Sequence, residues 1–133
     1  MNTLLIKSIK STFKDKFQTE PLLIFSPGRV NLIGEHTDYN DGFVFPAAVD
    51  KGIVTAIGKS NSNMSKVFAA DKEETLEFNL NQIKPLAQGS WQNYILGVVA
   101  EIQNRSKTIG SFNIVFGGDI PGGAGMSSSA ALE

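Results

Sequence analysis

The C-terminal stretch of the sequence constrains the fold more than any other part of the chain. Phe112, Ile114 and Phe116 alternate with other residues, as the side chains on one face of a β-strand do. Five glycines then fall between positions 117 and 125, and three consecutive serines follow at 127–129. The pattern predicts a strand that enters a tight glycine-rich loop and leaves it through a helix whose first turn carries hydroxyl side chains.

A loop of this kind can bind an anion. Backbone N–H groups and the positive end of a helix converge there, and serine hydroxyls can donate to phosphate oxygens or bind a Mg²⁺ that bridges them. The loop has no lysine where a Walker A motif needs one, and its glycines do not follow the dinucleotide fingerprint. It therefore predicts either a phosphate site of another kind or a flexible turn. Asp119 would repel an anion and is interpreted as a solvated turn residue.

The remaining periodic segments predict an α+β fold. Apolar residues at helical spacing predict one helix near the N-terminus and a second over 91–102, capped by Ser90. Strands are expected over 22–25, 52–58, 66–70 and 75–80, with a turn at 26–28 and a charged turn at 71–74. We expect a mixed, largely antiparallel sheet with the helices packed on one face.

Composition excludes several classes of protein. The chain has 133 residues, of which 41% are apolar and 19% are charged, which suits at most one globular domain and excludes disordered and membrane-spanning chains. A net charge of -1 gives no reason to expect nucleic acid or a membrane as partner. The absence of cysteine excludes disulfides and is compatible with the cytoplasm. We expect the N-terminal helix to dock on its own domain; the alternatives are a transit peptide or a membrane-surface helix.

A cluster of polar residues follows the first predicted strand. Arg29, Glu35, His36 and Asp38 lie within ten residues, and His36 is the chain's one histidine. Carboxylates beside a neutral imidazole suit the hydroxyls of a sugar, because the former accept hydrogen bonds and the latter both donates and accepts. Two other interpretations stay open at this point: a metal site on Glu35, His36 and Asp38, and a purely structural set of ion pairs and turn contacts.

These segments resemble two sequence motifs. The run Pro27-Gly28-Arg29-Val30-Asn31-Leu32-Ile33-Gly34-Glu35-His36-Thr37-Asp38-Tyr39, continued to Pro46, is similar to the galactokinase signature. The loop over 121–130 resembles the phosphate loop of the superfamily of galactokinase, homoserine kinase, mevalonate kinase and phosphomevalonate kinase, known as GHMP kinases. Trp91-Gln92-Asn93-Tyr94 is similar to a helix that galactokinases carry between these motifs. Met126 stands where leucine is usual, a change that conserves volume.

The resemblance implies ATP-dependent phosphorylation of α-D-galactose to galactose 1-phosphate in the cytoplasm, the entry step of the Leloir pathway, with Mg²⁺ as cofactor. It implies that Arg29 stabilises the transferring phosphoryl group. Sugar binding is implied for Glu35, His36, Thr37 and Asp38, and nucleotide binding for Gly123, Ala124, Gly125, Met126, Ser127, Ser128 and Ser129, with Ser129 also a ligand of Mg²⁺.

The same resemblance implies that residues 1–133 are an incomplete N-terminal GHMP-kinase domain. The family's catalytic aspartate, a metal-binding glutamate and a C-terminal domain would lie beyond Glu133, so we expect the isolated chain to be inactive. Two alternative functions stay open: a sensor that binds galactose and ATP without catalysis, and a kinase for a related sugar such as N-acetylgalactosamine.

Overall fold

A computed structural model of the chain describes residues 2–34, 36–105, 108–121 and 125–133. The described part forms three α-helices, five β-strands and one short 3-10 helix. In chain order the elements are α1 (Thr3–Phe17), β1 (Leu22–Asn31), the 3-10 helix (Asp38–Asn40), β2 (Pro46–Lys59), β3 (Ser65–Ala69), β4 (Glu74–Phe78), α2 (Trp91–Asn104), β5 (Phe112–Gly118) and α3 (Ser128–Leu132).

The five strands form one mixed sheet in the order β1-β2-β5-β3-β4. β1 pairs with β2, β2 with β5 and β3 with β4 in antiparallel fashion, whereas β3 and β5 are parallel. The predicted α+β class and the largely antiparallel sheet are therefore confirmed. β3 and β4 form an antiparallel pair on either side of the charged turn that was predicted at 71–74.

Helices cover both faces of the sheet, not one face as expected. Ile9 and Phe13 of α1 pack with Val54 and Val115 in one cluster of buried residues. A second cluster contains buried residues of α2 and α3. It also contains strand residues adjacent in sequence to those of the first cluster, among them Phe116. Because successive side chains of a strand point to opposite faces, α1 lies on one face while α2 and α3 lie on the other. The periodicity of α1 showed which of its sides is buried but not which sheet face it covers.

The first strand is longer than predicted, because it runs through Ser26-Pro27-Gly28 where a turn was expected. Pro27 pairs with Gly52, and the register then shifts before Arg29, which pairs with Ala48. β1 is an edge strand, where the missing N–H of a proline is tolerated. Pro27 and Gly28 therefore mark a β-bulge inside a strand and not the end of the strand.

The N-terminal helix is docked on the sheet, as predicted. The side chain of Asn2 accepts a hydrogen bond from the N–H of Leu5 at 3.2 Å and caps the helix start. Gln18 ends the helix in the left-handed conformation, with φ of 56°. Beyond it, a hydrogen bond from Lys14 lowers the pKa of Glu20, which also pairs with Lys10. Among the described residues, no helix is both long and apolar enough to cross a bilayer.

Removing the Phe13 ring should test the docking of α1. Phe13 is fully buried, so Phe13→Ala should lower the free energy of unfolding by about 3 to 5 kcal/mol through lost burial and the cavity left behind. Leu4 lies on the same helix and is 78% exposed, so Leu4→Ala should change it by less than about 0.5 kcal/mol. Urea denaturation of the two variants measures both values, and equal effects would contradict the packing described.

Candidate functional site

Arg29 joins the two polar segments that the sequence singled out. Its backbone N–H donates to the carbonyl of Met126 at 3.1 Å. Its guanidinium Nη2 donates to the hydroxyl Oγ of Ser127 at 2.9 Å, across 98 residues of sequence. One residue of β1 therefore holds both the backbone and a side chain at the end of the glycine-rich loop.

The close approach of the loop to β1 depends on the absence of a side chain at position 28. Gly28 is buried in the bulge. A Cβ atom at that position would lie 3.1 Å from the carbonyl oxygen of Met126, 3.2 Å from Val49 and 3.3 Å from Ile120. These distances are tighter than ordinary van der Waals contact, and one of them is to backbone, so a larger residue would push the loop away from Arg29.

Ser127 occupies the N-cap position of α3 but does not cap it with its side chain. Its backbone is left-handed, with φ of 50°, a conformation that costs of order 1 kcal/mol or more in a residue other than glycine. Its hydroxyl accepts from Arg29. The Ser127 side chain therefore makes a tertiary contact and does not cap α3. The predicted cap of α2 is wrong as well: the Ser90 side chain does not cap the helix, and its hydroxyl donates to the side chain of Gln92.

The segment after β1 forms a loop that leaves the sheet and returns to β2. Leu32 and Phe45 extend the strand pairing, since the N–H of Leu32 donates to the carbonyl of Phe45 at 3.0 Å. Gly34 adopts φ of +105°, which favours glycine. The Thr37 hydroxyl lies 2.9 Å from the carbonyl oxygens of both Gly34 and Phe43. Thr37 therefore holds the two sides of the loop together, although its oxygen keeps lone pairs that can accept from a ligand.

The expected sugar-binding residues are described in part. His36 is exposed, and its Nδ1 forms a hydrogen bond with the hydroxyl of Tyr39. Glu35 lies outside the described residues, and of Asp38 only the backbone is described. Within the described part of the chain no group of three potential metal ligands occurs, but the metal alternative rests on Glu35 and Asp38 and stays a prediction. Gly123 and Ala124 of the loop also lie outside the description.

A cleft of about 440 Å³ lies beside the serines of α3. Ser128 and Ser129 line one part of it, and Trp91 and Tyr94 of α2 line another. Asp71 and Lys72, from the turn between β3 and β4, line it as well. The cleft therefore combines apolar and aromatic surface with hydroxyls and charged side chains, which is the usual composition of a small-molecule site.

The carboxylates of Asp71 and Asp119 fix the start of the glycine-rich loop. Asp119 Oδ1 accepts from the N–H of Gly52 at 2.9 Å, and its own N–H donates to the carbonyl of Gly52 at 3.1 Å. Asp71 Oδ2 accepts from the N–H of Gly118 at 2.8 Å. The interpretation of Asp119 as a solvated turn residue is therefore wrong, because its carboxylate is bonded to the sheet. No local sequence signal pairs it with Gly52, 67 residues away.

Comparison with known proteins identifies both polar segments. Residues 11–59 match the family model described as the galactokinase galactose-binding signature, and residues 93–133 match the GHMP kinases N terminal domain. A galactokinase of Haemophilus influenzae is 43% identical over 130 residues, which are 96% of this chain. The crystal structure of Lactococcus lactis galactokinase complexed with galactose superposes with a TM-score of 0.87 at 34% identity, over 96% of this chain.

The chain is similar to galactokinases along nearly all of its length. The expected resemblance is thus confirmed. The fold extends further, since a Methanococcus jannaschii mevalonate kinase superposes with a TM-score of 0.71 at 23% identity, covering 86% of this chain and 38% of that one. The chain spans about a third of the length of its galactokinase relatives, 34% for both the H. influenzae and the L. lactis proteins.

Filling the space at Gly28 should destabilise the site. Gly28→Ala should lower the free energy of unfolding by about 1 to 3 kcal/mol, because the added methyl group crowds the Met126 carbonyl. Gly110→Ala is the matched control, since a Cβ there meets nothing within 4 Å. Denaturant titrations of both variants measure the effect. Equal stability of the two variants would mean that the loop does not approach β1 as described.

Proposed function

We propose that this chain is the part of an ATP-dependent galactose kinase that brings sugar and nucleotide together. The observation that carries the proposal is the contact of Arg29 with Met126 and Ser127, which links the galactose signature to the serine loop. The L. lactis relative was crystallised with galactose, which supports galactose as the sugar. We keep as part of the proposal the boundaries 27–46 for the signature and 121–130 for the loop, an incomplete N-terminal domain over 1–133, and a cytoplasmic location.

On the sugar side, Glu35, His36 and Asp38 bind hydroxyl groups of galactose. His36 is exposed, so its ring can reach a ligand, and its bond to Tyr39 orients the imidazole. Asn31 carries a further polar atom near this segment: its buried carboxamide oxygen has no partner among the described residues. Asn31 stands two positions beyond Arg29 in regular pairing with β2, so both side chains lie on one face of the strand.

On the nucleotide side, the loop from Gly123 to Ser129 binds the phosphates of ATP. The cleft beside Ser128 and Ser129 has room and apolar surface for the rest of a nucleotide. Mg²⁺ prefers oxygen ligands and is usually held by one or two carboxylates together with substrate phosphates. Ser129 supplies one such oxygen, and Asp71 in the same cleft accepts from the N–H of Gly118 through Oδ2. The described residues of the cleft therefore give part of a magnesium site.

In the proposed reaction the bond between the γ-phosphorus of ATP and its bridging oxygen breaks, ADP is the leaving group, and the phosphoryl group forms a bond to the anomeric oxygen of galactose, whose proton passes to a base. Such transfers proceed through a loose transition state and are accelerated mainly by positioning and charge stabilisation. Mg²⁺, when bound, neutralises phosphate charge. Arg29 supplies a fixed positive charge at the junction of the two segments, and its bond to Ser127 holds the guanidinium in place. We assign no residue of this chain as the base.

The first test measures which part of the reaction the chain can perform. In an assay of ADP formation, the 133-residue chain alone should show no galactose-dependent turnover. The same chain joined to the part of the H. influenzae galactokinase that it does not match should convert galactose and ATP to galactose 1-phosphate. Turnover by the isolated chain would contradict the incomplete domain, and a folded fusion that binds ATP but not galactose would contradict the proposed substrate.

A second prediction concerns Arg29. In the active fusion, Arg29→Ala should lower kcat by roughly 100-fold or more, because the charge acts on the transition state, while galactose affinity changes less than about threefold. Arg29→Lys should recover part of the rate, since it keeps the charge but loses the planar geometry. Equal losses in kcat and in galactose affinity would make Arg29 a binding residue instead.

A further inference from the structure

Lys72 is a cation at the cleft that the proposed reaction has not used. It lies in the turn between β3 and β4, is exposed, and lines the cleft together with Ser128 and Ser129. Its backbone N–H donates to the carbonyl of Ala69, which fixes the turn. Among the described residues its ammonium group forms no ion pair.

The carboxylates near Lys72 are mostly engaged elsewhere. Asp71 accepts from the N–H of Gly118. Glu74 accepts from the indole N–H of Trp91 at 2.7 Å and from the side chain of Gln92 at 3.3 Å. Glu73, the remaining acidic residue of the turn, is exposed. Two of these three carboxylates thus accept hydrogen bonds from neutral donors of the fold, and none of the three forms an ion pair with Lys72.

The glycine-rich loop lacks a positive charge of its own. From 117 to 133 the chain contains no lysine or arginine, and its charged residues there are Asp119 and Glu133. A nucleoside triphosphate carries several negative charges, and hydroxyl groups alone do not neutralise them. A lysine side chain is a flexible point charge that can follow a phosphate chain. Lys72 is the cation that lines the cleft in the described part of the chain.

We propose that Lys72 binds the phosphate chain of the nucleoside triphosphate whose phosphates lie against Ser128 and Ser129. The proposal rests on the proposed function and adds to it a residue outside both sequence motifs. Lys72 thereby takes the role that the lysine of a Walker A loop has in other nucleotide sites, from a turn that lies about 50 residues earlier in the chain.

The test is nucleotide binding by calorimetry with MgATP and with adenosine, in the fusion with the part of the H. influenzae galactokinase that the chain does not match. Lys72→Gln should weaken MgATP binding roughly three- to tenfold, the range expected for an exposed charge-assisted contact. It should leave adenosine binding unchanged, and the loss should shrink as salt is added. Lys72→Arg should retain the affinity within about twofold. Lys7→Gln is the matched control, because Lys7 is exposed on α1, on the opposite face of the sheet.

The outcomes separate this proposal from the proposed function. If the unmodified chain binds MgATP and Lys72→Gln binds it equally well, Lys72 is a solvated turn residue and the proposed function stands. Weakened binding of adenosine by the same factor would assign Lys72 to the base or ribose and overturn the phosphate contact. Absence of MgATP binding by the fusion that carries the unmodified chain would contradict the nucleotide part of the proposed function itself. Thermal denaturation of each variant checks that it is folded.

Discussion

The hydrogen bonds from Arg29 to Met126 and Ser127 are the interaction on which the site depends. α3 has five residues, far fewer than the dozen or so that an isolated helix needs in water, so tertiary contacts must fix its position. Arg29 supplies two of them from an edge strand. The bulge before Arg29 and the missing side chain at Gly28 let the two backbones approach. The packing of β1 thus sets the position of the residues that we propose as the site.

The glycine-rich loop is fixed at both of its ends, although glycine residues allow many backbone conformations. Asp71 accepts from the N–H of Gly118 where β5 ends, and Asp119 accepts from the N–H of Gly52 in the neighbouring β2. Arg29 donates to the carbonyl of Met126 just before α3. These contacts hold the described residues on either side of the loop in place. Preorganised donors stabilise a developing charge better than donors that must first be ordered. The two carboxylates therefore support the proposed anion site through the backbone, because a direct contact of a carboxylate with an anion would be repulsive.

Local patterns predicted the elements, whereas long-range contacts could not be predicted. The alternation at Phe112 and Phe116 and the helical spacing after Trp91 gave a strand and a helix where the structure has them, because periodicity is a property of neighbouring residues. The face of the sheet that α1 covers depends on the path of the chain between α1 and β1. Pro27 read as a turn because proline breaks most strands, and only the pairing with β2 shows a bulge. Arg29 and Ser127 were both predicted as functional, but their hydrogen bond was not.

A double-mutant cycle between Arg29 and Ser127 tests the central claim most directly. The free energies of unfolding of Arg29→Ala, Ser127→Ala and the double variant are compared with that of the unmodified chain. If the side chains are bonded as described, the sum of the two single losses in unfolding free energy should exceed the loss in the double variant. The difference, which is the coupling energy, should be about 0.5 to 1.5 kcal/mol. Additive effects, with a coupling indistinguishable from zero, would contradict the account, because the signature and the serine loop would then not meet at Arg29.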